Sequence, residues 1–394
     1  MSALCFWDER EGSGRRTSVE GGPWAVEQFL EGRHVHRFIQ SFKTFAASAS
    51  FQETRIFRER FRFEDLLAAF LRTLARHAGS NFRFDADRVV IGRPVRFAGS
   101  NPDDALAMQR YRSAFGTLGA NRAAYVYEPV GAAFFYAREL ERDATVLVAD
   151  FGGGTSDFSV MRFARAGGRL TATPLSHSGV GIAGDAFDYR IVDKVVSPRL
   201  GKGGSYRSMG KTLTLPNRHY ANLARWNQLA TMKGSGDLKE LKELARDALD
   251  PSPLHHFIDI VEYDLGFTLY RAVSAAKVAL SSQDETEFRF QAEGVDIRAD
   301  ITRAAFETWI AEDVVRVEAT LDEAMARAGV CAGEIDRVFL TGGTSFVPAI
   351  RRLFTERFGA ERLVTGNQFA SIAYGLALVG QAADMEAWAV QEAA

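Results

Sequence analysis

Val146-Leu147-Val148-Ala149-Asp150-Phe151-Gly152-Gly153-Gly154-Thr155-Ser156-Asp157-Phe158-Ser159-Val160 is the stretch that decides how this chain is read. An apolar β-type run ends in a carboxylate, three glycines and a threonine follow, and a second carboxylate opens the next run. Consecutive glycines after a strand let backbone N–H groups converge on an anion without side-chain obstruction. Asp150 at the strand end is suited to hold Mg²⁺ through its waters, Thr155 to hydrogen-bond a phosphate oxygen, and Asp157 to orient the turn or a water. The bland alternative is a glycine-rich hairpin turn with solvated aspartate caps. The ordered succession of strand, Asp, glycines, Thr and Asp weighs against it.

A second turn has the same build: Arg337-Val338-Phe339-Leu340-Thr341-Gly342-Gly343-Thr344-Ser345-Phe346-Val347-Pro348. Alone, Gly-Gly-Thr is a common loop tripeptide. Following a strand and paired with the first turn, it predicts a wall for an adenosine, the two turns gripping a nucleotide from opposite sides of a cleft. The N-terminal residues contain no equivalent strand-Asp-x-Gly-Thr turn. The expectation is therefore a nucleotide-binding ATPase fold without its first phosphate loop.

Composition sets the outer bounds. A chain of 394 residues can bury a large core, and its length favours two or three domains. A net charge of -2 gives no reason to expect nucleic acid or a membrane surface as a partner. Cys5 and Cys331 are too far apart in sequence to suggest a disulfide framework or a thiolate metal site. No apolar stretch approaches membrane-spanning length and no signal-peptide order opens the chain, so a cytoplasmic location is expected.

Along the chain, Ala3–Trp7 is an apolar run, followed by a loop rich in Glu, Gly, Ser and Arg to Arg16. Helices are expected over Trp24–Glu31, Phe63–His77, Asp103–Leu118, Val130–Arg138 and Asp185–Val196. In Phe63–His77, Leu66, Leu67, Phe70, Leu71 and Leu74 share one face. Pro129 stands in the first turn of its helix, where proline is tolerated. Arg88–Gly92 reads as a strand, and hairpins are expected after the Asp150 turn and over Glu287–Ile297. Ser197 to about Asn217 reads as a loop or insertion, two or three helices as covering Asp237–Leu280, and Thr302 as the cap of a helix reaching Ala328. Strands and helices alternate without a regular βα period, which predicts an α/β fold with mixed sheets in two lobes.

Two motifs are set aside. Gly179-Val180-Gly181-Ile182-Ala183-Gly184 matches the dinucleotide pattern, but the hairpins before it do not build a βαβ unit. Ser205 to Thr212 ends like a phosphate-binding loop, yet Ser205 stands where its first glycine must be and no helix follows. The histidine pairs His34/His36 and His255/His256 lack further ligands at metal spacing.

With these residues in hand, the chain resembles the ATPase domain of the heat-shock-70 chaperone family, most closely its bacterial YegD-like branch, within the actin, sugar-kinase and heat-shock superfamily. The resemblance runs through Ser41-Phe42-Lys43-Thr44-Phe45, Val89 to Pro94, Tyr127-Glu128-Pro129-Val130-Gly131-Ala132-Ala133 and the Asp150 turn. It continues through Ile182-Ala183-Gly184-Asp185-Ala186-Phe187-Asp188, Ala276-Lys277-Val278-Ala279-Leu280-Ser281-Ser282, Ile301 to Glu307 and the Gly342 turn.

The resemblance implies an actin-like, ribonuclease H-like fold closing on Mg-ATP or ADP. Lobe I would comprise residues 1–139 and 363–394. Lobe II would comprise 140–362, with a helical subdomain over about 197–285. It implies Lys43, Glu128, Asp150 and Asp157 as catalytic residues. Lys43 would neutralise charge on the transferring group, Glu128 and Asp157 would orient waters, and Asp150 would position Mg²⁺ through water. Gly152, Gly153, Gly154 and Thr155 would hold the phosphates, with Gly184 and Asp185 behind them. Lys277, Ser281, Gly342, Gly343, Thr344 and Phe346 would shape the adenosine side. Phe346 stands where the chaperones usually place an arginine, and Ser274 where they place a ribose-binding glutamate.

The family's N-terminal phosphate hairpin, peptide-binding sandwich and helical lid have no counterpart in this sequence. ATP hydrolysis is expected of the intact protein, acting as a monomer with a client or regulatory protein as partner. A non-hydrolysing scaffold that signals by lobe closure, and a small-molecule kinase of the same superfamily, are the alternatives.

Overall fold

The computed structural model describes residues 2–11, 14–31, 36–79, 83–98, 101–137, 142–166, 169–229, 232–233, 235–365, 371–382 and 385–390. They form two compact units, Met1–Gly184 with Val314–Ala394, and Asp185–Asp313.

The first unit is organised around a five-stranded mixed sheet in the order Arg169–Val180, Ser156–Ala166, Ala144–Phe151, Arg337–Thr341, Leu363–Thr365. The first two joints are antiparallel and the last two parallel. Every residue of Ala144–Phe151 is buried, which explains why this segment is a continuous apolar run rather than an alternating one. A parallel pair, Val90–Arg93 beside Ala124–Tyr127, leads into the helix Glu128–Ala137. That helix crosses the helix Ser371–Gln381 at glycines. A Cβ on Gly375 would lie 1.7 Å from the Gly131 carbonyl oxygen, so only glycine permits the approach.

The N-terminal residues form a three-stranded antiparallel sheet, Gly14–Gly21, Ala3–Glu11, His36–Gln40. Within the stretch read as a loop, Asp8–Glu11 and Gly14–Arg16 are thus strand, and residues 12 and 13 lie outside the described residues. Glu9 is exposed on its strand and accepts hydrogen bonds from the Trp7 indole at 2.6 Å and from Ser18 at 2.8 Å. Phe6 of this sheet packs in one buried cluster with Phe42, Phe63, Leu66 and Tyr111.

Helices stand where they were expected, at Pro23–Glu31, Phe63–Ala78 and Asp104–Gly116, the second on the apolar spacing noted above. Asp103 caps the last by accepting the Leu106 N–H at 2.9 Å.

In the second unit, helices Asp237–Asp247, Ser252–Glu262 and Gly266–Leu280 precede a hairpin, Glu285–Ala292 with Val295–Thr302. Its alternation places Phe288, Phe290, Ile297 and Ile301 in the core. Thr302 caps the helix Arg303–Ala328, accepting the Ala305 N–H at 3.2 Å. Two readings of this region need correction. Asp185–Val196 is α-helical only over Gly184–Ile191 and continues as a π-helical turn, Val192–Val196. The segment expected as a loop over Ser197–Asn217 holds a short helix, Ser197–Arg199, and a hairpin, Ser205–Ser208 with Lys211–Thr214. Positive φ at both Met209 (47°) and Gly210 (75°) makes its two-residue turn, a geometry methionine does not advertise.

Candidate functional site

Asp150 and Thr341 are paired neighbours at the C-terminal ends of adjacent parallel strands. The two glycine turns therefore leave one sheet side by side, not from opposite walls as expected. They touch: Gly342 has φ 85°, and a Cβ there would lie 1.8 Å from the Phe151 carbonyl oxygen. Gly152, Gly153 and Gly343 are exposed, while Thr344 is buried. The first turn is closed by the Gly152 N–H donating to the Thr155 carbonyl at 2.9 Å. Strand ends of this kind are where open α/β sheets bind ligands.

Beside the first turn lie four of the residues singled out for catalysis. Lys43 is carried by a 3₁₀ turn, Phe42–Phe45, entered through a left-handed Ser41 (φ 53°). Its ammonium stands 3.7 Å from the Glu128 carboxylate. Glu128 opens the helix after Ala124–Tyr127, and Gly92 of the neighbouring strand leaves it room, since a Cβ there would lie 3.2 Å from its Cγ. Asp150 and Asp157 are both buried. Asp157 accepts N–H bonds from Val95 at 2.9 Å and Arg96 at 3.3 Å, but its Oδ2 is buried without a partner.

The electrostatics follow from that crowding. Burial, then the charges of Glu128 and Asp157, push the Asp150 carboxyl well above the usual range, while Lys43 pulls it down. Burial and Glu128 push Asp157 up to about 7, against the hydrogen bonds from Thr155, Arg96 and Val95. Lys43 is held strongly cationic, by Tyr111 first and Glu128 second. Glu128 and Asp150 thus act on one ammonium, while Asp157 lies buried with an orphaned Oδ2 and feels the Glu128 charge, a crowding of carboxylates that a divalent cation would relieve. Among the described residues no three His, Cys, Asp or Glu side chains form a cage for a metal ion. Mg²⁺ keeps most of its waters and takes one or two carboxylates together with phosphate oxygens, and Asp150 at its strand end would be such a carboxylate.

In the second unit, Lys277 pairs with Asp188 at 2.7 Å, both largely buried. Asp185 is pushed up to about 6 by burial and by Asp188, against Lys277. Ser281 caps the Lys277 helix, donating to the Lys277 carbonyl at 3.1 Å. In the first unit, Phe346 follows the Gly342 turn with 48% of its surface exposed.

The Hsp70 protein family profile matches residues 33–202 and 258–388, well over half of the chain. The chain belongs to the Hsp70 family. With that family goes the actin-like ATPase fold, of which the mixed sheet and the glycine turns at its strand ends are the visible parts. The chain is 25% identical over 324 residues to the chaperone protein DnaK of Halobacterium salinarum, covering 80% of this chain and 42% of that protein. It is 28% identical over 311 residues to the chaperone protein HscA of Serratia proteamaculans, covering 79% of this chain and 39% of that protein. DnaK of Deinococcus radiodurans matches at 24% over 315 residues, 80% of this chain and 42% of the other. The chain thus spans about two fifths of the length of the curated relatives it matches.

Several residues that build this site have no role assigned from sequence, and Arg110 carries no sequence signal at all. Arg110 donates to the carbonyls of Phe45 and Ala46 at 2.9 Å, Ser48 at 3.1 Å and Phe51 at 2.5 Å, fixing the loop that follows Lys43. Arg93 lies over the Phe97 and Tyr127 rings and donates to the Pro94 and Val95 carbonyls, bracing the turn that holds Asp157. Gly179, set aside as part of a dinucleotide pattern, pairs with Asp157 across the sheet, and a Cβ there would lie 2.4 Å from the Asp157 Oδ1. The glycine in that motif was a signal after all, but of a tucked carboxylate.

Proposed function

We propose that this chain binds Mg-ATP through the Asp150 and Gly342 turns and, in the intact protein, hydrolyses it as the motor of a chaperone-like protein. The observation that carries the reading is the buried pair Asp150 and Asp157 together with the Lys43–Glu128 ion pair, beside the exposed Gly152 and Gly153. In this reading the backbone N–H groups of Gly152–Gly154 and the Thr155 hydroxyl hold the phosphates. Lys43, cationic at any working pH, lowers the cost of charge on the transferring group, and Glu128 keeps that ammonium in place. Asp157, with a carboxyl near neutrality, accepts or returns a proton of an attacking water. Mg²⁺, bound through water to Asp150, would supply charge neutralisation across the phosphates. Lys277, Ser281 and Asp185 serve the nucleoside in the same proposal, with the lobe division at residues 139 and 362. A client or regulatory protein would read the nucleotide state.

The test is thermal melting with and without excess Mg-ATP, since a native-state ligand at a hundred times its dissociation constant adds about 2.7 kcal/mol. A rise in Tm that Asp150→Ala abolishes supports the proposal, and phosphate release then separates a hydrolase from a scaffold. Equal Tm values with and without the nucleotide would sink it. Phosphorylation of a sugar in place of water would move the reading to a kinase.

A further inference from the structure

The second unit's short hairpin, Ser205–Ser208 with Lys211–Thr214, contributes no residue to the nucleotide reading. Ser205–Ser208 and Lys211–Thr214 pair in register, and the Leu215 N–H closes the base on the Gly204 carbonyl at 2.8 Å. On the far side of Ser205–Ser208, Tyr206 bridges Ala248, and the Leu249 N–H donates to the Ser205 carbonyl at 2.9 Å. Lys211–Thr214 is therefore the outer strand, and all four of its residues are exposed.

In a two-residue hairpin the residues flanking the turn exchange hydrogen bonds, and bonded pairs alternate from there. Lys211 and Leu213 thus bond inward, whereas Thr212 and Thr214 aim their backbone N–H and C=O groups away from the hairpin. No partner meets them among the described residues.

We propose that this edge docks an extended, carboxylate-rich segment of a partner protein as an added β-strand, with Met209 as its apolar anchor. The proposal goes beyond the nucleotide reading and does not depend on it. Charge selects the occupant. Lys211 flanks the turn and Arg207 stands opposite Thr212, both exposed and neither ion-paired among the described residues. The nearest carboxylates in sequence to Leu249, Asp247 and Asp250, belong to the segment behind Ser205–Ser208, away from the open edge. Two unpaired cations oppose a basic strand and favour an acidic one.

The tip adds a second argument. Met209 is fully exposed at φ 47°, in a turn position that asparagine or glycine fills with less strain. Leu213 on the same hairpin is also 42% exposed. A strand that adds to a sheet edge draws affinity from main-chain bonds and specificity from such side-chain contacts.

The test uses the full chain and two fluorescein-labelled peptides, four repeats of Glu-Val and four of Lys-Val, read by fluorescence anisotropy. The acidic peptide should bind at least tenfold tighter than the basic one, and its affinity should fall as salt rises. Thr212→Pro removes an outward N–H while leaving the hairpin ladder intact, and should weaken binding at least tenfold. The double change Arg207→Glu with Lys211→Glu, which leaves every backbone bond in place, should reverse the preference between the peptides. Equal binding of both peptides, or acidic binding that survives Thr212→Pro, would overturn the proposal. So would a dimer seen by light scattering that Thr212→Pro dissolves, since a second copy would then own the edge.

Discussion

Replacing Arg110 with methionine keeps the volume of the side chain and removes four hydrogen bonds at once. Each runs from a cationic guanidinium to a backbone carbonyl, at Phe45, Ala46, Ser48 and Phe51. Hydrogen bonds to charged groups contribute about 1.5–3 kcal/mol each, and because three of the four share the two protons of Nη1 the nominal sum is that of three bonds, about 4.5–9 kcal/mol. Two effects reduce it. The guanidinium is desolvated, which is why burial lowers its pKa, and that cost disappears with the charge. Three of the four carbonyls belong to half-buried residues and can regain water, whereas Ala46 is fully buried. The expected net loss is about 3–5 kcal/mol, close to that of breaking a buried ion pair.

Two compact units make a single unfolding free energy a poor readout, so the assay is native-state hydrogen exchange. The Ala46, Ser48 and Phe51 amides, bonded to the carbonyls of Lys43, Phe45 and Ser48, report on the loop. They should exchange about a hundred to five thousand times faster in Arg110→Met, while Phe290 amide exchange in the second unit stays unchanged. Arg110→Lys keeps the charge but not the fork and should fall between. Loop exchange within threefold of the parent would refute the reasoning, because the loop would then owe its order to something other than Arg110.

Two further outcomes follow from the same geometry. With its folded-state carboxyl near 7 and its unfolded one near 4, Asp157 keeps its proton in the native chain over a range where the unfolded chain has lost it. Its stabilising share is present below about pH 4 and is lost as pH rises through 7. Without magnesium, Asp157→Asn should therefore raise Tm by several degrees at pH 8 and leave it unchanged near pH 4.5; an equal shift at both would contradict this. Gly375→Ala drives a Cβ onto the Gly131 carbonyl and should abolish or strongly lower the first unit's melt, whereas Gly343→Ala, with open space around it, should not. Similar melts for the two variants would show that the helix crossing relaxes without cost.

Local chemistry was legible in the chain. The run Val146–Asp150 is apolar on both faces because it is buried on both, and Asp150, the glycines and Asp157 appear in the order in which the strand and its turn use them. Helix spacing and caps likewise announce Phe63–Ala78 and Arg303–Ala328. Where polar residues pair across an exposed hairpin, as Glu9 does with Ser18, periodicity fails, because the stabilising partner is distant in sequence. The hairpin at Met209 was hidden for a different reason: its turn depends on backbone φ values that the residue types disguise.

What the sequence by itself determined is the set of groups that can do chemistry, since carboxylates, an ammonium and glycine amides act through their own atoms. Which of them meet was left to tertiary structure. Parallel register sets Asp150 beside Thr341, so the two turns share one sheet end. Two guanidiniums, Arg93 and the motif-less Arg110, fix the Asp157 turn and the Lys43 loop by hydrogen-bonding to carbonyls 1–2 and 59–65 residues away. A backbone carbonyl is the same in every residue, so nothing in the sequence marks the ones an arginine will find.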